Sequence, residues 1–101
     1  MNRRREQKPI TDLRKYARGK DCTVRLPGIC NGDPATTVLA HFRLAGVSGI
    51  GMKSPDPIGA WCCSSCHSYA DTHKDADTQL AFAHGVLRTQ AALISEERLL
   101  W

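Results

Sequence analysis

Ala60-Trp61-Cys62-Cys63-Ser64-Ser65-Cys66-His67 is the stretch on which the reading of this 101-residue chain turns. Cys63 and Cys66 form a Cys-x-x-Cys pair, a spacing at which two thiolates grip one zinc ion from a tight turn. One pair supplies half of a four-ligand structural site. The other half lies upstream, where Cys22 and Cys30 flank a loop with turn signals at Pro27-Gly28 and Asn31-Gly32. Seven residues separate these two cysteines, a gap that still closes around one ion. Cys62 is the cysteine left over. It can displace Cys63 as a ligand, but the Cys-x-x-Cys spacing favours Cys63. Buried free thiols are the bland alternative. A redox pair would need a thioredoxin-like βαβ context that the chain lacks. His67 falls just outside the pair, where a helix begins. It reads as part of the chemistry rather than of the scaffold, with substitution for a cysteine on the zinc as the rival reading.

The chain is 42% hydrophobic and 24% charged, which places it among globular domains. Its length fits one domain with a modest core, a size at which staples are common. Fourteen basic side chains face ten acidic ones, unevenly distributed. Residues 1–20 carry eight of the basic groups against Glu6 and Asp12, while the remainder is near neutral. Residues 1–10 read as a disordered basic arm, with Arg3, Arg4 and Arg5 as candidate nucleic-acid contacts. A solvated tail is the plain alternative. Residues 11–101 read as a single zinc-stabilised domain. No apolar run follows the N-terminal arginines and no stretch reaches the length of a membrane span, so a cytoplasmic protein without disulfides is expected. In such a protein five cysteines point to metal.

Along the chain, Thr11 can cap a short helix over 12–18 with Gly19 as its stop, and Ile10, Leu13 and Ala17 share one face. The β-branched run Thr36–Phe42 predicts a strand, and Ile58–Cys62 a second. Between them, residues 44–53 contain Gly46, Gly49 and Gly51 and read as a loop. Ser64 or Ser65 can cap a helix running through His67 towards Lys74. A last helix is expected over 78–94, with Leu80, Ala83, Leu87, Ala91 and Ile94 recurring at steps of three and four as its apolar stripe. Gly85 weakens that helix in its middle. Trp61 and Phe42 read as core, His73 as surface and His84 as structural. The fold class is α+β: a small ββα finger with a four-cysteine zinc site and flanking helices. Zinc would supply on the order of 10 kcal/mol of folding energy.

A strand with a histidine, a glycine-containing loop, a second strand, then Cys-x-x-Cys-His opening a helix: this order resembles the HNH (His-Me finger) nucleases. The residues that carry it are Ala40-His41-Phe42-Arg43 and Cys63-Ser64-Ser65-Cys66-His67. The chain is also similar to the YbcO-like family of prophage-encoded proteins named as nucleases. That likeness runs through Asp12-Leu13-Arg14-Lys15, Cys22, Pro27-Gly28-Ile29-Cys30-Asn31-Gly32, Val38-Leu39-Ala40-His41 and Cys63–His67. The resemblance implies an endonuclease that hydrolyses DNA phosphodiester bonds, in phage replication or recombination. His41 would be the general base and His67 a ligand of a catalytic magnesium or manganese ion. A histidine titrates near neutral pH and can take a proton from water. A divalent ion can clamp the phosphate and the leaving oxygen. Asp71, four residues past His67, shares its helix face and can be a second ligand or orient the imidazole. Arg43 can meet a phosphate, or be merely solvated.

Two departures from the HNH pattern bear on activity. The position before the base histidine, often acidic, is Ala40. No asparagine lies between His41 and His67; the corresponding region is Asp56-Pro57-Ile58, where Asp56 can replace either function. The competing readings are a catalytically silent, zinc-stabilised nucleic-acid-binding module and a zinc-held protein adaptor.

Overall fold

The structure is a computed structural model that describes residues 12–48 and 53–99. The basic arm, Thr11 and Ile10, and Gly49 and Gly51 of the central loop lie outside the described residues. In chain order the elements are helix α1 (Leu13–Tyr16), a 3-10 turn (Pro34–Thr36), strand β1 (Val38–His41), a second 3-10 turn (Asp56–Ile58), strand β2 (Gly59–Cys62), helix α2 (Ser64–Thr72) and helix α3 (Ala76–Ser95). Among the described residues this is a small α+β architecture with a two-stranded sheet and three helices.

The two strands pair antiparallel, with Val38 opposite Cys62, Leu39 opposite Trp61, Ala40 opposite Ala60 and His41 opposite Gly59. Alternation along the strands divides the core between the two faces of the sheet. Leu39 and Trp61 pack with Leu13, Ala17 and Leu93 on one face. Ala40, Ala60 and Cys62 pack with Cys22, Val24, Cys63, Cys66, Phe82 and Val86 on the other. Burying Leu13 and Ala17 is what fixes so short a helix as α1, which has no side-chain N-cap bond. It is shorter than the expected 12–18, and Gly19, at φ +80°, follows it in the left-handed conformation.

The outer edge of β2 is covered. Thr23 N–H and Thr23 Oγ1 both donate to the Trp61 carbonyl, at 2.8 and 2.9 Å. The Trp61 amide donates to Thr89 Oγ1 at 3.0 Å, and the two threonine hydroxyls meet at 2.9 Å. Backbone groups that an edge strand would leave open are thereby paired inside the core.

α3 corrects the expected apolar stripe. Its buried residues are Thr78, Phe82, Gly85, Val86, Thr89 and Leu93, whereas Leu80 is 55% and Leu87 61% exposed. The buried face contains a threonine and a glycine, which a count of apolar side chains passes over. Thr89 is there to bond the sheet edge. Gly85 is there because a Cβ would stand 2.8 Å from Val24 Cγ2 and 3.1 Å from the Val24 backbone, so the cysteine loop crosses α3 at this point. His84, expected as structural, is exposed. α3 also starts earlier than expected: Asp75 is its N-cap, accepting from Thr78 N at 3.1 Å and Thr78 Oγ1 at 2.9 Å. α2 begins where expected, but its cap is the thiol of Cys63 rather than Ser64 or Ser65, accepting from Cys66 N. No helix among the described residues is long and apolar enough to cross a membrane.

Candidate metal centre and catalytic cleft

The cysteine loop and the start of α2 converge on one point. The Sγ atoms of Cys22, Cys30, Cys63 and Cys66 all lie within 4.8 Å of one another. Around a tetrahedral ion with Zn–S bonds of about 2.3 Å, the sulfurs stand about 3.8 Å apart. Cys30 and Cys63 are separated by 3.8 Å. The four cysteines are thus positioned to hold a metal ion, and no disulfide links the five cysteines of the chain.

Both halves of the centre are built alike. Arg25 N–H points at Cys22 Sγ over 3.5 Å, and Cys66 N–H at Cys63 Sγ over 3.4 Å, each three residues on. Arg25 adopts φ 54° to make that turn, a conformation rare outside glycine. Asn31 Nδ2 then reaches Ser64 Oγ and Ser65 Oγ, both at 3.1 Å, tying the loop to α2. Cys62 is fully buried beside the cluster. The Cys62 thiol beside Cys22 favours the Cys22 thiolate and, with burial, pushes Cys62 up, while burial also pushes Cys30 and Cys66 up.

Beside β1 lies a cleft of about 320 Å³. Leu39 and Ala40 contribute to its wall, and His41, Arg43, His67 and Asp71 open onto it, so four residues singled out in the sequence share one site. Arg14 and Lys53 complete it, and neither was expected there. The three cations come from three separate segments. α1 brings Arg14. Arg43 follows β1. Lys53 precedes Ser54, whose hydroxyl donates to the Phe42 carbonyl and joins its segment to that of Arg43.

His41 ends β1 with its side chain only 10% exposed, and its Nε2 lies 2.7 Å from Asp56 Oδ1. The aspartate arrives there through backbone packing. Gly59, opposite His41, has the Asp56 carbonyl 3.1 Å from where a Cβ would be. Gln90 of α3 donates to the Pro57 carbonyl at 2.6 Å. Phe42 N–H donates to the Ile58 carbonyl at 2.9 Å, carrying the strand pairing one step past His41. A carboxylate only accepts, so Nε2 carries a proton, and in the neutral ring Nδ1 then presents the lone pair.

Across the cleft, α2 carries His67 and Asp71 one turn apart, with Nε2 and Oδ2 separated by 3.9 Å. One divalent ion can span two donors at about 3 to 4 Å. Ala40 supplies no ligand, and among the described residues the four cysteines are the only group of three or more potential ligand atoms drawn this close together. Arg3, Arg4 and Arg5 lie outside the described residues.

Residues 11–98 match the model of a protein family described as "Putative nuclease YbcO". The chain belongs to the YbcO family. It is 50% identical over 91 residues to "Putative nuclease YbcO" of Escherichia coli (strain K12), which covers 86% of this chain and 95% of that relative. The same identity and coverage hold for "Putative nuclease ybcO" of Enterobacteria phage 82. Among solved structures, one described as "Structure of a putative bacteriophage protein from Escherichia coli str. K-12 substr. MG1655" is 42% identical with a TM-score of 0.71, covering 85% of this chain and 100% of the other. The YbcO relatives thus span almost all of the region that carries the cysteines and the cleft.

Proposed function

We propose that this YbcO-family protein is an HNH-type endonuclease that hydrolyses DNA phosphodiester bonds, built on a structural zinc. The observation that carries the reading is the His41–Asp56 pair, a buried and oriented imidazole opening onto a cleft that also holds His67, Asp71 and three cations. Oriented histidine, potential ion ligands and positive charge are the groups phosphodiester hydrolysis needs together.

In the proposed reaction Asp56 holds the His41 ring through Nε2, and Nδ1 accepts a proton from water. The water oxygen attacks phosphorus, a new P–O bond forms, and the bond to the leaving sugar oxygen breaks. That oxygen takes up a proton from solvent to become a hydroxyl, and His41 returns its proton to solvent. Arg43 and Lys53 offset the charge that gathers on the phosphate oxygens. A divalent ion held by His67 and Asp71, magnesium or manganese, would supply a clamp on the phosphate and leaving oxygens. Thiolates in a tetrahedral set suit zinc. Its role at the four cysteines is to close the loop onto α2, away from the chemistry. The basic arm, with Arg3, Arg4 and Arg5, adds phosphate contacts beyond the cleft.

A second reading, a silent zinc-stabilised DNA-binding module, is favoured by Ala40, which leaves the ion with two protein ligands. The test is cleavage of supercoiled, linear and branched DNA with magnesium or manganese by the zinc-loaded chain. Cleavage supports the nuclease. Salt-sensitive binding without cleavage on any substrate moves the assignment to the module, because phosphate contacts alone give a steep salt dependence.

A further inference from the structure

Among the charged side chains of the cleft, Arg14 is the one to which the proposed hydrolysis assigns no step of its own. Arg14 Nε lies 3.5 Å from Asp56 Oδ1, the same oxygen that holds His41 Nε2 at 2.7 Å. The Arg14 side chain as a whole is 61% exposed and lines the cleft together with His41. A guanidinium carries five N–H donors in a rigid fork. Its Nε faces Asp56, which leaves the donors of the terminal nitrogens for another acceptor. Around that position the cleft presents Arg43 and Lys53, so the acceptor that fits is an anion. A planar fork suits a phosphate oxygen pair better than a point charge does.

We infer that Arg14 is a phosphate-binding catalytic residue. Its terminal nitrogens take non-bridging oxygens of the phosphodiester while Nε stays on Asp56, so one side chain binds the substrate and braces the residue that orients the base. The scaffold supports this double duty. Leu13 and Ala17, 1% and 0% exposed, pin α1 on either side of Arg14. Asp56 in turn is held through Pro57 by Gln90. A lysine at position 14 would keep the charge but would have to choose between Asp56 and the phosphate. The inference rests on the nuclease reading for its substrate, while phosphate recognition can be read out without cleavage.

The experiment compares the zinc-loaded full chain with its Arg14→Gln and Arg14→Lys variants. An ion pair to a solvent-exposed arginine adds little stability, so both variants fold, which circular dichroism and zinc content verify. Inorganic phosphate is titrated at low salt while the His41 ring signals are followed by NMR, and kcat and KM are measured on supercoiled DNA. In the parent, phosphate shifts the His41 signals. In Arg14→Gln that response is lost and kcat falls about 100-fold, the scale for one lost transition-state donor, with the smaller change in KM. Arg14→Lys recovers only a minor part. A folded Arg14→Gln that cleaves like the parent overturns the inference and leaves the nuclease standing. So does Arg14→Lys matching the parent, since charge alone would then suffice. A parent that cleaves nothing but shows an Arg14-dependent phosphate response retains the phosphate site and loses the nuclease. No phosphate response in the parent overturns the site itself.

Discussion

His41 and Asp56 lie fifteen residues apart in sequence and 2.7 Å apart in space, joined by a hydrogen bond from the histidine ring to the carboxylate. The contact assigns the imidazole its tautomer and its direction. Under the proposed HNH-type reading, Asp56 would stand in for the asparagine missing between His41 and His67, because it is the side chain that meets the His41 ring. If this bond orients the base, Asp56→Ala lowers kcat by about 10- to 100-fold, as for other residues that act by orienting a functional histidine. KM changes little, and Asp56→Asn, which can still hold the ring, retains the larger part of the activity. Steady-state cleavage by folded variants checks it. Equal kcat for parent and Asp56→Ala would refute the orienting role.

Removing metal tests the four-cysteine centre. The loop from Cys22 to Cys30 is bound to the start of α2 by the cluster and by the Asn31 bonds to Ser64 and Ser65. If the four cysteines hold a structural zinc, worth on the order of 10 kcal/mol and more than a domain of this size has in reserve, chelation unfolds the chain. Elemental analysis should give one zinc per chain, and Cys63→Ser should fail to retain it. Near-ultraviolet circular dichroism unchanged by a strong chelator would contradict the assignment.

Gly85→Ala separates helix propensity from packing. In an isolated helix the change is worth about 1 kcal/mol in favour of alanine. Here the new methyl would meet Val24 Cγ2 at 2.8 Å and Val24 backbone atoms at 3.1 Å. The loop that carries Cys22 would have to move, so the variant is destabilised by about 1–3 kcal/mol as in other overpacked cores. Urea denaturation of the metal-loaded protein measures it, and a gain in stability would show that the loop does not cross α3 as described.

Asp75 provides a pH-dependent stability signature. Hydrogen bonds from Thr78 Oγ1 and N–H hold its carboxyl below the ordinary 3.8. A folded-state value below the unfolded one stabilises the native chain above the unfolded pKa and is lost as pH falls through the folded pKa. Asp75→Asn should therefore flatten the acid limb of the stability curve below about pH 4. The carboxyl signal of Asp75 should titrate below 3.8 by NMR. A midpoint at or above the ordinary value would contradict the cap.

The parts of this protein that were legible in its sequence are those in which chemistry and spacing coincide. Cys22, Cys30, Cys63 and Cys66 announced a metal centre, and the β-branched run before His41 announced its strand. His67 and Asp71 declared a shared helix face through a four-residue step. The stripe of α3 was misread because the buried face uses Thr89 to bond the edge of β2 and Gly85 to admit Val24. Both are contact-specific reasons that apolar periodicity does not register. Arg14 and Lys53 reach the cleft from segments remote in sequence from His41, and only the packing of α1 against the sheet and the Ser54 bond to Phe42 bring them in. Asp56 was visible as a residue in the right region, but its distance from His41 depends on Gly59 and Gln90, neither of which carries a chemical signature of its own.

The central claim, that His41 is the base of a DNA-cleaving centre, is tested most directly by cleavage of supercoiled DNA with magnesium or manganese. The zinc-loaded chain is compared with a His41→Ala variant verified to be folded and zinc-loaded. The account predicts nicking by the parent and a loss of about 100-fold or more in the variant, the scale of a missing general base. Equal cleavage by the two proteins, or none by the parent on any DNA substrate, would contradict it.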